Sequence, residues 1–82
     1  MSVKNTVLGI LKELMPTKDL SNVNDMVEGG YIDSFELVSL IATLSERFGV
    51  EIDIDDVTPQ NFNSVDDIVS LMSRLIEERK TY

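Results

Sequence analysis

Apolar residues recur with a helical period in three separate segments, and this constrains the fold more than any other feature. Val3, Val7, Ile10, Leu11 and Leu14 follow an i, i+4, i+7, i+8, i+11 spacing, which puts them on one stripe of an amphipathic helix. Lys4, Thr6, Lys12 and Glu13 lie off that stripe. Pro16 closes the segment, because the residue before a proline avoids helical angles, so the first helix is expected over about residues 2–15. A second stripe, Leu37, Leu40, Ile41, Leu44 and Phe48, is widened by Val38 and predicts a helix over Ser34–Phe48. Phe35, Ser39, Ala42, Ser45 and Glu46 fall mainly on its other faces, and Gly49 suits the position just past its end. The third stripe, Val65, Ile68, Val69, Met72, Leu75 and Ile76, predicts a helix over Val65–Arg79. Its N-cap is Ser64, with Asp66 and Asp67 in the first turn and Arg74, Arg79 and Lys80 toward the last. Three one-sided helices have only one another to pack on.

The connections add detail. Thr58-Pro59 reads as an N-cap followed by proline at the first helical position, opening a short helix to about Phe62 with Val57 and Phe62 facing the core. The expected fold is therefore all-α: a small four-helix bundle of three main helices plus one short helix. Residues 17–32 are polar and read as a long loop, open to a short helical turn, in which Leu20, Val23, Met26 and Val27 can supply anchors to the core. Loops of this length in compact domains tend to be functional. Val50 to Ile54 alternates apolar and acidic residues, but one short run has no partner strand. It is read as a connection that buries Val50, Ile52 or Ile54. The acids at 53, 55 and 56 lack the glycine and the terminal glutamate of a calcium-binding helix–loop–helix, and no metal site is expected.

The junction between loop and second helix is Gly29-Gly30-Tyr31-Ile32-Asp33-Ser34-Phe35-Glu36-Leu37-Val38-Ser39-Leu40. Asp33 can cap the helix, and Glu36 can reach back to complete a capping box. Ser34 then lies in the first turn, where backbone N–H groups have no intrahelical acceptor and favour an anion. That suits a phosphate ester. It equally suits a plain helix start. Phe35 has two readings as well: packing against the preceding loop, or an exposed contact for partners.

Composition narrows the function. There is no histidine and no cysteine, which removes the usual zinc sites, thiol chemistry and Ser-His-Asp catalysis. Ser34 has no histidine to take its proton, and no paired carboxylates are placed by the pattern, so an enzyme is not expected. The formal charge is −8, opposite to that of a nucleic-acid binder and suited to a basic protein partner. The charge is uneven: the region from Asp25 to Asp67 holds 11 acids and one base, Arg47, while the rest of the chain is net basic. The N-terminal segment is broken by Lys12 and Glu13 and is no signal peptide, and no run is long enough for a bilayer. A cytoplasmic single domain over residues 1–82 is expected, with no membrane insertion and in monomeric form.

Residues 33–40, Asp33-Ser34-Phe35-Glu36-Leu37-Val38-Ser39-Leu40, resemble the Asp-Ser-Leu-[Asp/Glu]-x-[Val/Thr]-x-Leu signature of the acyl carrier and peptidyl carrier family. The loop with Gly29, the Phe48-Gly49-Val50-Glu51-Ile52 close of the second helix, the short helix with Phe62 and the opening at Ser64-Val65 extend the resemblance over nearly the whole chain. It implies an acyl-carrier-like bundle in which Ser34 carries 4′-phosphopantetheine, supplied from coenzyme A by a phosphopantetheinyl transferase that holds magnesium, with Asp33 supporting the site. The arm provides the thiol the chain lacks and holds acyl or aminoacyl cargo as a thioester. The resemblance also implies a docking surface of Phe35, Glu36, Val38, Ala42, Glu46, Asp55 and Asp56 for basic faces of an acyl- or aminoacyl-loading enzyme and of downstream synthases or transferases.

The chain departs from the family pattern in ways that bear on its cargo. Phe35 stands where leucine is usual, Ser39 and Ser45 replace acids common in fatty acid carriers, and Arg47 adds a base. These changes favour a dedicated carrier over the housekeeping fatty acid one. The alternative is a carrier-like helical interaction module without a prosthetic group.

Overall fold

Four helices follow one another: α1 (Val3–Leu14), α2 (Ser34–Phe48), α3 (Pro59–Phe62) and α4 (Val65–Arg79), with a 3₁₀ turn at Ile54–Asp56 before α3. The computed structural model describes residues 2–79, and no strand occurs among them. α1 packs against both α2 and α4, while α3 lies on α4. The all-α bundle expected from the three stripes is the architecture found.

The helix ends follow from local chemistry. Ser2 is the cap of α1, its hydroxyl accepting from the Asn5 N–H at 3.0 Å. Met15 leaves helical angles, at φ −135° and ψ 67°, ahead of Pro16. α1 is therefore one residue shorter at each end than its sequence suggests. α2 ends at Gly49, whose φ of 64° is left-handed and whose N–H closes on the Ser45 carbonyl. The Arg79 guanidinium donates to the Gly49 carbonyl, tying the end of α4 to the end of α2. Thr58 precedes α3 as expected, but its side chain makes no capping bond, and Pro59 sets the first turn alone. Ser64 Oγ accepts from the Asp67 N–H at 3.0 Å and caps α4. Lys80, placed near the last turn from sequence, lies outside the described residues.

The core joins all four helices. Val7, Ile10, Leu40, Leu44, Phe62, Ile68 and Met72 are fully buried. Each such side chain contributes about 1.5–3 kcal/mol through removal from water. Leu71, absent from the stripe read in the sequence, is buried too. Two apolar residues go the other way. Val38 is 64% exposed rather than an extension of the buried stripe, which leaves it open for the docking role expected of it. Ile54 is 84% exposed, since the 3₁₀ turn started by Asp53 rotates it outward. Val50 is buried and Ile52 half-buried, so the connection is anchored at its beginning.

The long loop is part of the core rather than an appendage. Leu20, Met26 and Ile32 are buried. The expected helical turn reduces to one i→i+4 bond, from the Gly29 N–H to the Asp25 carbonyl. Asn63, between α3 and α4, then fastens this part of the loop. Its Oδ1 accepts from the Val27 and Glu28 N–H groups at 3.1 and 3.2 Å, its amide nitrogen donates to Glu28, and its carbonyl accepts from the Met26 N–H at 2.9 Å. A buried side chain amide with these partners leaves little polar capacity unused.

Candidate functional site

The start of α2 is held by a complete capping box. Asp33 is extended, at φ −84° and ψ 177°, and its Oδ1 accepts from the Glu36 N–H at 2.7 Å. Glu36 Oε1 accepts from the Asp33 N–H at 3.1 Å. Ser34 is the first residue of the helix and is exposed. The N–H groups of Ser34 and Phe35 stand before the first intrahelical bond and are available to an anion.

The approach to this turn demands glycine twice. Gly30 has a φ of 78°, a left-handed conformation that disfavours larger residues. A Cβ on Gly29 would come within 2.7 Å of the Asp25 carbonyl oxygen and 2.5 Å of its carboxylate. Ile32, just before the cap, is buried and fixes where the turn leaves the core.

Lys18 joins the two sides of the turn, and sequence reading passed it over. Its ammonium donates to the Tyr31 carbonyl at 2.7 Å and to both Glu36 carboxylate oxygens at 3.0 Å. A lysine in a polar loop carries no local signal for such a role. The Glu36 carboxyl is held below the usual carboxylate range, chiefly by the Asp33 backbone N–H and then by Lys18. Asn63 is the other residue sequence missed. Only its burial distinguishes it from an ordinary loop asparagine.

Phe35 takes the exposed alternative at 78%, with Tyr31 at 45% and Val38 at 64% also unburied. Phe35 and Ser39, one turn apart, flank an open groove of about 330 Å³ together with Leu14, Met15, Asp33 and Glu36. Exposed apolar groups grouped beside the start of a helix suit recognition by partners.

The acids of the expected docking surface divide into two sets. Glu36 is paired with Lys18, and Asp56 with Arg74 at 3.1 Å. Glu46 and Asp55 are in no ion pair among the described residues. Ala42 is exposed on α2. Arg47, the base expected to dilute this surface, is bonded to Glu13 of α1 at 3.3 Å. No group of three acidic, histidine or cysteine side chains is placed to hold a metal among the described residues. No helix among them is long and apolar enough to cross a membrane.

The fit to a phosphopantetheine group is good at this turn: an exposed hydroxyl, a rigid capped backbone and free N–H donors for a phosphodiester. The chain is similar to the D-alanyl carrier protein of Streptococcus suis (strain 05ZYH33), 32% identical over 72 residues that cover 85% of this chain and 90% of the relative. It is similar to that of Streptococcus thermophilus (strain ATCC BAA-491 / LMD-9), 30% identical over 77 residues, 92% of this chain and 96% of the relative. The D-alanyl carrier protein of Bacillus velezensis (strain DSM 23117 / BGSC 10A6 / LMG 26770 / FZB42) is 29% identical over 77 residues, 92% of this chain and 99% of the relative. Residues 2–72 match the family described as phosphopantetheine attachment site. That match spans most of the chain, and the protein therefore belongs to this family: it is a carrier protein that bears 4′-phosphopantetheine covalently.

Proposed function

We propose that Ser34 is the attachment residue and that the protein is a stand-alone, monomeric, cytoplasmic carrier whose single domain runs over residues 1–82. One observation carries the assignment: Ser34 is an exposed serine in the first turn of α2, beside a complete capping box. Transfer joins Ser34 Oγ to the phosphorus of the phosphopantetheine group of coenzyme A, with loss of the hydroxyl proton and release of adenosine 3′,5′-bisphosphate. The group, once attached, supplies a thiol that holds cargo as a thioester. The chain's own share is to present the hydroxyl, offer the Ser34 and Phe35 N–H groups to the phosphodiester, and keep the turn rigid.

Carrier proteins work with a phosphopantetheinyl transferase and with loading enzymes. For this chain we assign docking to Phe35, Glu36, Val38, Ala42, Glu46, Asp55 and Asp56. The unpaired acids Glu46 and Asp55 would face basic enzyme surfaces, and Phe35 and Val38 would supply apolar contact. The cargo we favour is an amino acid, D-alanine by the names of the relatives. The loss of acids at Ser39 and Ser45 supports such a dedicated role.

The test is intact mass after incubation with coenzyme A, magnesium and a broad-specificity phosphopantetheinyl transferase. The wild type should gain one phosphopantetheine and Ser34→Ala none. Absence of the gain in the wild type would favour the interaction module without prosthetic group, and a gain in Ser34→Ala would move the site elsewhere. Loading of the modified protein by a D-alanine-activating enzyme, against a malonyl transferase, then decides the cargo.

A further inference from the structure

We propose that Lys18 is a positioning residue for the modification of Ser34, acting as a clamp across the turn that presents it. The proposal rests on Ser34 being the attachment residue. Lys18 lies just beyond α1, distant in sequence from the turn, yet its ammonium reaches both sides of Ser34. It holds the Tyr31 carbonyl, three residues before, at 2.7 Å. It holds the Glu36 carboxylate, two residues after, by both oxygens at 3.0 Å. Glu36 Oε1 in turn accepts from the Asp33 N–H at 3.1 Å. One cation thus fixes the entry to the turn and the group that closes its cap.

Two physical consequences follow. The first is geometric. Without the ammonium, the Glu36 side chain keeps one backbone bond but loses the partner that holds its rotamer, and the Tyr31 carbonyl is released toward solvent. Gly29, Gly30 and Ile32 are tied by backbone bonds to Asp25, Val27 and Met26, so the freedom gained lies at the Tyr31 carbonyl and the Glu36 side chain. The Ser34 hydroxyl is then presented over a wider range of positions, and transfer between large molecules is sensitive to such spread. The second is electrostatic. The incoming group is anionic, and Glu36 is two residues from the hydroxyl. An ammonium in contact with both carboxylate oxygens offsets that negative charge where the phosphate must approach.

The side chains of Lys18 and Glu36 are 37% and 27% exposed, so the pair adds little to global stability. Substitution at Lys18 should leave the protein folded while altering its modification. Lys12, exposed on α1 and in no ion pair among the described residues, serves as the control of equal charge.

The experiment measures initial rates of phosphopantetheine gain by intact mass, using the full chain as wild type, Lys18→Met, Lys18→Arg and Lys12→Met. Circular dichroism and thermal melting accompany each variant. We expect Lys18→Met to lower kcat/KM for the carrier about tenfold, with an unchanged helical spectrum. Lys18→Arg, which retains donors for the carboxylate, should recover most of the rate, and Lys12→Met should match the wild type. In nitrogen-15 spectra of the unmodified protein, the Asp33 and Phe35 amides should move in Lys18→Met and stay in Lys18→Arg. Equal rates for Lys18→Met and wild type, or an equal loss in Lys12→Met, would overturn the clamp while leaving Ser34 as the attachment residue. A wild type that gains no mass would overturn the Ser34 assignment, and the clamp with it.

Discussion

Glu36 shows how one side chain can serve two masters. It closes the capping box on Asp33 and accepts the Lys18 ammonium. Both interactions favour its ionised form, and its carboxyl is held below the usual range. The sign of the pH effect follows. A folded-state pKa below the unfolded value contributes stability at neutral pH, and that stability is lost as the pH falls through the folded value. Glu36→Gln keeps an acceptor for the Asp33 N–H but lacks the charge. The urea midpoint of the wild type should exceed that of Glu36→Gln near neutrality. The gap should close as the pH drops through and below the usual carboxylate range. A gap that does not change with pH would mean that shape, not charge, is what Glu36 contributes. Asp33 and Glu36 were legible as a cap because both bonds span three residues. Lys18 was not, because its partners lie 13 and 18 residues away.

At the scale of elements, the loop between α1 and α2 matters most, since it delivers the turn bearing Ser34. It contains no helix, and its order comes from buried anchors and from Asn63. Replacing Asn63 by alanine would orphan the Val27 and Glu28 N–H groups and leave Glu28 without its amide donor. An unsatisfied buried group costs about 1–3 kcal/mol. Asn63→Ala should therefore lose about 2 kcal/mol in urea unfolding, with faster hydrogen exchange at the Val27 and Glu28 amides than in α1. Uniformly faster exchange would show that Asn63 supports the whole fold rather than the loop. The helices themselves were readable from period alone, to within a residue at each end of α1. The positions that period alone does not place, Val38 and Leu71 at stripe edges and the choice among Val50, Ile52 and Ile54 in the connection, are settled by packing. There the direction a side chain takes depends on which neighbour packs beside it.

At the scale of the molecule, 82 residues support a limited core. Met26 is a loop residue, yet it is fully buried among helical side chains. Truncation of a buried methionine costs about 2–5 kcal/mol, against a total for small domains of about 5–15 kcal/mol. Met26→Ala should lower the urea midpoint with a single transition, because loop and bundle share one core. Two separable transitions, with the loop released first, would contradict that unity. Charge is organised at this scale too. Lys4, Lys18, Arg47 and Arg74 are each matched to an acid, while Glu46 and Asp55 remain outside any ion pair among the described residues. These pairs leave the net charge of −8 unchanged, so they decide where on the surface the acidity is offered rather than how much of it there is.

The sequence by itself determined the helices, their order, the cap at Asp33, the place of Ser34 in the first turn and the resemblance to carrier proteins. These rest on interactions a few residues long, or on residue types that are simply absent. Tertiary structure alone decided which apolar residues are left outside, how the long loop is anchored, and which charges are cancelled before a partner arrives. Such contacts join residues far apart in the chain, as Lys18 joins Glu36 and Asn63 joins Val27. Local periodicity carries no trace of them, because they exist only once the helices have packed.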